Sequence, residues 1–472
     1  MSESVDIRGP IATQASDDYD PCYDPLRDAH PGIGRDYAPT YWIATAGSPP
    51  DDDGPISGDI DADVVIVGSG FTGLTCALFL AREHGIRATV LEANRVAWGC
   101  STRNGGQGQN ASGRLTRSQW IARWGEATAR LVHAEIQEGF ERFAALTDEF
   151  DCDAEPGGHL YVAHRHRALD RLRAESEICN HVFGYPTRIL DRATVERDWV
   201  REAEAVGALH EPLGIGVHPA KLAFGYVRAA RAAGAQVHPA SPVLDIARSG
   251  GRFRLRTPQG TVTARAVVIA TGGYTSQQLH PQLRSRIMPI LSNSLVTRPL
   301  TGAELEATGF RTHQVITDTR VLRYYYRLLP DNRLQIGSRS AIKGTDAANP
   351  KHLHGLTSGL ARKFPALRGI EIDYSWWGWV DVSHDMMPRM VQPDPAQKLY
   401  YGLGFGGNGV SYSAQAGWRL AELVAGRAAK YPLPLFTGAL PGHVFAPFRR
   451  LGQRALYQFY HYRDERPDRS GR

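Results

Sequence analysis

An α/β fold is predicted, with a parallel nucleotide-binding sheet assembled from separated stretches and a second domain built from the chain between them. Three observations carry this. An apolar run at residues 63–67 enters Gly68-Ser69-Gly70-Phe71-Thr72-Gly73, and the acid Glu92 closes the strand that follows. Two more apolar strands run into glycine turns, at residues 267–273 (VVIATGG) and 401–413 (YGLGFGGNGVSYS). The chain of 472 residues also exceeds one compact core, so two domains are expected.

The first unit reads as strand, turn, helix and strand. Residues 63–67 are mostly β-branched and apolar without alternation, as in a strand covered on both faces. Gly68 permits the tight turn, Gly70 lets backbone approach a pyrophosphate, and Gly73 lets the helix lie close on the strand. Ser69, Phe71 and Thr72 complete the turn. Leu74, Ala77, Leu78 and Ala81 keep helical spacing, and Gly85 stands where a helix end favours positive φ. Residues 87–91 form the second strand. Glu92, with Ala93 beside it, lies about 20 residues past the last glycine, where an acid takes ribose hydroxyls and repels a 2′-phosphate. The ligand is therefore FAD or NAD rather than NADP.

The other elements follow in order. Residues 1–60, rich in Pro, Asp and Gly, read as an irregular arm, with Tyr37, Tyr41 and Trp42 packing it onto the body. Residues 98–113 form a glycine- and amide-rich loop, and 116–150 a helix with Val132, Ile136, Phe140 and Phe143 on one face. A strand at 158–163 precedes a charged helical stretch at 165–205. A helix from His218 ends at Gly234, and strands follow at 243–247, 252–257 and 261–270. Alternation marks strands at 287–298, 321–329 and 333–338, the last two joined by Pro330-Asp331-Asn332. Trp376-Trp377-Gly378-Trp379 precedes the final unit, a strand at 399–403, a glycine loop at 404–409 and a helix from Val410 to Gly426. The basic, aromatic stretch 445–462 is expected to dock on the body rather than on a membrane.

Bulk composition narrows the class. Hydrophobic residues make up 42% and charged residues 22%, as in an ordinary globular protein. The net charge of +5 is spread thinly, and no basic block is interleaved with aromatics, so nucleic acid is not an expected partner. Five scattered cysteines without CxxC spacing point to a reducing compartment and no metal. The N-terminus lacks an apolar core and a cleavage signal, and no stretch is suited to span a membrane, so a cytoplasmic location is expected.

The third glycine segment carries the most chemistry. Its glycines allow backbone to lie flat on a planar ligand, and the helix that begins there aims N–H groups and a partial positive charge at the pyrimidine edge of a flavin. No second GxGxxG with its own strand and acid is present, and no GDAAH-type segment of the flavin hydroxylases, so electrons are expected from the organic substrate itself.

On these residues the chain resembles the FAD-dependent amine and amino-acid oxidoreductases related to D-amino-acid oxidase, sarcosine oxidase and glycine oxidase, and most of all their γ-glutamylputrescine oxidase branch. Gly68–Gly73, Glu92, the run from Gly99 through Gln107 (GCSTRNGGQ), Ala270-Thr271-Gly272 and the final glycine loop carry the likeness, as does the arm with Tyr41-Trp42. The resemblance implies a discontinuous Rossmann-type FAD-binding domain with an inserted antiparallel-sheet substrate domain. It implies that residues 101–106, with Ser101, Arg103, Asn104, Gly105 and Gly106 among them, lie along the isoalloxazine, and Gln107 joins the cofactor set. Val243, Thr271 and Gly272, with Gly404, Gly406, Gly407, Asn408, Gly409 and Val410, join the cofactor set. The boundaries expected are residues 61–115, 206–280 and 375–472 for the FAD-binding domain, and 116–205 and 281–374 for the substrate domain. Cys100 stands where the branch has a small residue and is expected to be an inert thiol.

Pocket candidates come from residue type. In residues 323–327 alternation puts Tyr324 and Tyr326 on one face and Tyr325 on the other. Aromatics over a flavin suit an amine through cation–π attraction. Tyr324, Tyr325, Tyr326, Trp377 and His384 are the catalytic candidates, with Arg320, Arg327 and Arg339 available for a substrate carboxylate. His218 is a further possible base, and Lys343 a group that could assist oxygen activation. The expected activity is oxidation of the C–N bond of a small amine or amino acid by hydride transfer to FAD, with oxygen reduced to hydrogen peroxide. The alternatives are a dehydrogenase serving a quinone or protein acceptor, and a flavin-holding subunit without turnover.

Overall fold

The structure, a computed structural model, describes residues 22–311 and 313–465. The first twenty residues, expected to carry no secretory leader, lie outside the described residues. At the centre of the first sheet, strand Ile60–Val67 pairs in parallel with Ala88–Leu91 on one side and Gly260–Ile269 on the other. Gln236–His238 extends the sheet beyond Ala88–Leu91, and Leu399–Leu403 pairs in parallel with the end of Gly260–Ile269. Val64 and Ile66 pack under helices Phe71–His84, Pro219–Ala232 and Tyr412–Val424, while Val65 and Val67 face the antiparallel meander Asp245–Ser249 and Arg252–Thr257. Both faces are covered, which is why these strands read as unbroken apolar runs.

The second sheet has eight strands in the order Ile372–Ser383, Ile287–Pro299, Arg333–Ser338, Tyr325–Leu328, Val315–Asp318, His159–Ala163, Gly207–Glu211 and Arg188–Asp191. It is antiparallel except where Val315–Asp318 meets His159–Ala163. Several of its members differ from expectation. Ile372–Ser383 pairs along Ile287–Pro299, so the stretch from residue 375 enters this sheet before the chain returns to the first one. Gly207–Glu211 likewise belongs here rather than with the nucleotide-type elements. Within 165–205 the strand Arg188–Asp191 separates two helices, His166–Phe183 and Arg192–Asp198. Residues 321–324 are not strand, which shortens that element to Tyr325–Leu328.

The long helix Arg117–Glu149 opens with a Thr116/Gln119 capping box and buries Val132, Ile136, Phe140 and Phe143. Gly125, at φ 77°, breaks it once. The described part of the arm is buried at Tyr37, Tyr41 and Trp42, and the Tyr37 hydroxyl donates to the Val96 carbonyl at 2.8 Å. The last helix, Arg449–Glu465, docks through polar groups: Arg450 pairs with Asp24 at 2.7 Å and Asp464 accepts the Val321 N–H at 2.8 Å. Its Leu451, Leu456, Phe459 and Tyr462 remain exposed.

Candidate functional site

One cavity of about 280 Å³ lies where the two sheets meet, with both Glu92 and Tyr325 on its wall. Its floor is the first glycine turn. Gly68 holds φ +104°, and a Cβ at Gly73 would collide with the Gly68 carbonyl oxygen, so the helix can sit this close only on glycine. Gly70 caps the helix without a side-chain hydrogen bond, and the Phe71 N–H is met by Ser101 Oγ at 2.9 Å. Gly70, Phe71 and Thr72 of this first turn line the cavity, and a Cβ at Gly70 would press on Ser101 Oγ at 3.1 Å, so the helix N-terminus offers a cradle suited to a pyrophosphate. Glu92 Oε2 accepts the Ser69 N–H at 3.0 Å and the Ser69 hydroxyl at 2.8 Å, which fixes the carboxylate for ribose hydroxyls. Burial raises its pKa, against these two hydrogen bonds. The donor set therefore fits FAD.

Of the cofactor candidates, Gly68, Gly70, Phe71, Thr72, Glu92, Ala93, Ser101, Arg103, Asn104, Gly105, Gln107, Val243, Thr271, Gly272, Gly407, Asn408, Gly409 and Val410 line this cavity. Five others stand behind its wall. Ser69 orients Glu92, Gly73 seats the helix, and the Gly106 N–H is taken by Asn104 Oδ1 at 2.8 Å. The Gly404 N–H binds Asp381 Oδ2 at 2.6 Å, and the Gly406 carbonyl accepts Arg114 and Arg339.

Of the catalytic candidates only Tyr325 reaches the cavity. Its ring lies against Gly105 and Gly337, where any Cβ would strike it, and its hydroxyl is 2.8 Å from Ser294 Oγ and 3.0 Å from Ser292 Oγ. Tyr324 and Tyr326 share the opposite face, as alternation requires, but that face packs on the second domain's own helices. Tyr326 is fully buried with its hydroxyl on Glu202, and the Lys363 ammonium lies 5.3 Å from the Tyr324 ring centre. Trp377 is buried in an aromatic core with Tyr23, Tyr37 and Trp98. Its neighbours Gly378 and Trp379 meet the cavity instead. His384 sits past the strand end, 3.2 Å from the Ser285 carbonyl and stacked on His443. His218 caps helix Pro219–Ala232, and burial lowers its pKa to about 4. Lys343 is not on the cavity wall, and burial pushes the Cys100 thiol up to about 12.

The arginines divide. Arg320 pairs with Asp318 and Glu204, and Arg327 donates to the Val217 carbonyl beside Glu155. Arg339 lines the cavity, with Arg114, Arg323, Gln109, Thr317 and Asp381, none of which the sequence reading selected. The signal for Arg323 was its parity with Tyr325. Thr317 Oγ1 is 2.7 Å from His159 Nε2, whose Nδ1 is 2.9 Å from Glu211 Oε2, a hydrogen-bonded series able to move a proton from the wall. Gln107 donates to the Ile316 and Tyr326 carbonyls at 3.4 and 3.3 Å, tying the glycine-rich loop to the second sheet.

Comparison with known proteins agrees with this architecture. The profile of the DAO family, described as FAD dependent oxidoreductase, matches residues 63–423. The γ-glutamylputrescine oxidoreductase of Escherichia coli (strain K12) is 33% identical over 378 residues, 79% of this chain and 85% of that protein. Sarcosine oxidase subunit beta of an Arthrobacter species is 25% identical over 77% of this chain and 87% of its own. The crystal structure of glycine oxidase from Geobacillus kaustophilus superposes with a TM-score of 0.69 at 21% identity, covering 82% of this chain and 100% of that one.

Proposed function

Because the chain belongs to the DAO family of FAD-dependent oxidoreductases, we propose that it oxidises the carbon–nitrogen bond of a small amine or amino acid and passes the electrons to dioxygen, forming hydrogen peroxide. The observation that supports this most is the single cavity joining the glycine turn at Gly68 and the acid Glu92 to a polar, aromatic end at Tyr325. Bound FAD supplies the two-electron acceptor of the reaction. Gly68, Gly70 and Glu92 would hold its nucleotide, and residues 407–410 its ring. The chain's own work at the far end is placement and desolvation. The Tyr325 ring walls the substrate, and a site lined by Tyr325, Trp379 and Phe405 desolvates an amine and so lowers its pKa toward the neutral form that oxidation needs. The imine product then takes up water and hydrolyses to a carbonyl compound, releasing its nitrogen as ammonia or an amine.

Among the described residues no helix is long and apolar enough to cross a membrane. The buried Cys76, Cys152 and Cys179 form no disulfide, which supports a reducing, cytoplasmic setting as part of the proposal. The test is to mix the FAD-loaded protein anaerobically with a panel of amines and amino acids and follow loss of the flavin's visible absorbance. Peroxide formed in stoichiometric yield on admitting air supports the oxidase. Reduction without peroxide, with turnover restored by a quinone, would replace it with a dehydrogenase, and no reduction by any amine would overturn the activity.

A further inference from the structure

Three guanidinium groups, those of Arg114, Arg323 and Arg339, line the cavity near Tyr325 without an acid to meet them. None forms an ion pair with a described carboxylate. Arg114 Nη1 and Arg339 Nη2 both donate to one neutral acceptor, the Gly406 carbonyl, at 3.2 and 3.3 Å. Arg323 Nε is buried with no hydrogen-bond partner, and its guanidinium lies over the Tyr161 ring at 5.3 Å. Elsewhere this fold supplies a carboxylate to its buried arginines: Glu211 to Arg117, Asp318 and Glu204 to Arg320, Asp385 to Arg389. The fourth arginine on the wall, Arg103, stacks on Trp98 at 4.1 Å. The two acids on the wall are engaged by backbone, Glu92 at Ser69 and Asp381 at Gly404.

The three side chains are partly buried, and like charges held together in a partly desolvated cavity are costly unless a ligand neutralises them. Burial and mutual repulsion, with Arg323 contributing to both, hold the Arg114 and Arg339 guanidiniums below their ordinary pKa. A single carboxylate would leave two of the three cations unanswered, whereas two carboxylates leave one. Guanidinium groups meet carboxylates through paired, planar hydrogen bonds, the strongest available to either.

We propose that Arg114, Arg323 and Arg339 form a subsite for two carboxylates of one substrate, so that the amine oxidised at this site is a dicarboxylic one. The inference rests on the amine-oxidising reading above and narrows its substrate class. The residual positive charge has a second effect, because it disfavours an ammonium ion nearby and so favours the neutral amine without a dedicated base.

The experiment uses the FAD-loaded protein at low ionic strength and two acids that cannot be oxidised, butyrate and glutarate, titrated by calorimetry. Glutarate is expected to bind tighter by about 10-fold or more, the effect of an added charge-assisted hydrogen bond. In Arg323→Gln and Arg114→Gln that preference is expected to fall to within about 3-fold, while Arg323→Lys keeps part of it. Each Gln variant is expected to melt no lower than the parent, since it removes an uncompensated charge. Among substrates, kcat/KM for dicarboxylic amino acids or their N-alkyl derivatives should exceed that of monocarboxylic partners of equal chain length. Equal affinity for the two acids, or a preference unchanged in both Gln variants, overturns the subsite. Failure of every amine to reduce the flavin would instead remove the oxidase reading, and the acid titration would still report on the arginines.

Discussion

Asp381 accepts the backbone N–H of Gly404 through Oδ2 at 2.6 Å, which ties the last strand of the second sheet to the glycine turn that follows the last parallel strand of the first. Gly406 N–H adds a second bond to the Asp381 carbonyl at 2.7 Å. With the bridge between Val382 and Phe405, these bonds fix the two sheets to each other on the cavity wall.

This carboxyl carries a pH signature. Burial raises the Asp381 pKa from 3.8 to about 6, against the Gly404 hydrogen bond. A folded pKa above the unfolded one means that the folded state holds the proton more firmly, so the group's contribution falls as pH rises from about 4 to 6. A two-unit shift amounts to roughly 3 kcal/mol. Asp381→Asn keeps an acceptor for Gly404 without the ionisation. Melting temperatures of parent and variant across this range should diverge as pH rises, the variant falling less; parallel curves would refute the assignment.

Glu92 is held by two hydrogen bonds from Ser69 and one from the Asn94 N–H at 3.3 Å, and the proposed function gives its remaining capacity to the cofactor. Glu92→Gln exchanges a charged acceptor for a neutral one. Bonds to charged groups contribute about 1.5–3 kcal/mol, so the FAD dissociation constant should rise roughly 10- to 100-fold. Fluorescence titration of the apoprotein with FAD measures this directly.

The Tyr325 hydroxyl lies between two serines, Ser292 and Ser294. Tyr325→Phe removes those bonds and leaves the ring on Gly105 and Gly337. A neutral hydrogen bond contributes about 0.5–1.5 kcal/mol, so kcat/KM should fall by about 3- to 10-fold with FAD affinity unchanged. Tyr325→Ala opens the wall and should cost more. Steady-state kinetics beside a cofactor titration separates the two effects.

Lys363 is fully buried, with Glu202 at 2.7 Å, Asp318 at 3.0 Å and Glu204 at 3.5 Å from its ammonium. Lys363→Met leaves these acids without their central cation and should destabilise the protein by about 3–5 kcal/mol. Glu202→Gln in the same background should recover part of the loss in chemical denaturation, because it removes one of the stranded charges.

What the sequence disclosed depended on how local the requirement was. The turn at Gly68–Gly73 and the acid at Glu92 were legible because strand, turn and helix impose their demands within thirty residues of chain. Alternation separated Tyr325 from Tyr324 and Tyr326 correctly, yet period two says nothing about which face meets a cavity and which meets Glu202 and Lys363. Arg320 and Arg327 were equally good candidates by type; Asp318, Glu204 and the Val217 carbonyl claimed them through tertiary contacts no local pattern records. The strands Arg188–Asp191, Gly207–Glu211 and Val315–Asp318 are four or five residues long, and their partners across the sheet define them more than their own composition does.

Residues 29–31 of the arm form part of the cavity wall, and the arm is tethered there: Asn94 Nδ2 donates to the Pro31 carbonyl, and the Gly34 N–H to that of Ala93. Chain that precedes the whole parallel sheet thus lies as a clasp beside Glu92 and Ala93, where the proposed function puts the adenosine. Ligand retention and clasp closure are one linked equilibrium. A protease given the emptied protein should cut this clasp early, and the same cut in the loaded protein should bleach the preparation as its dinucleotide washes away.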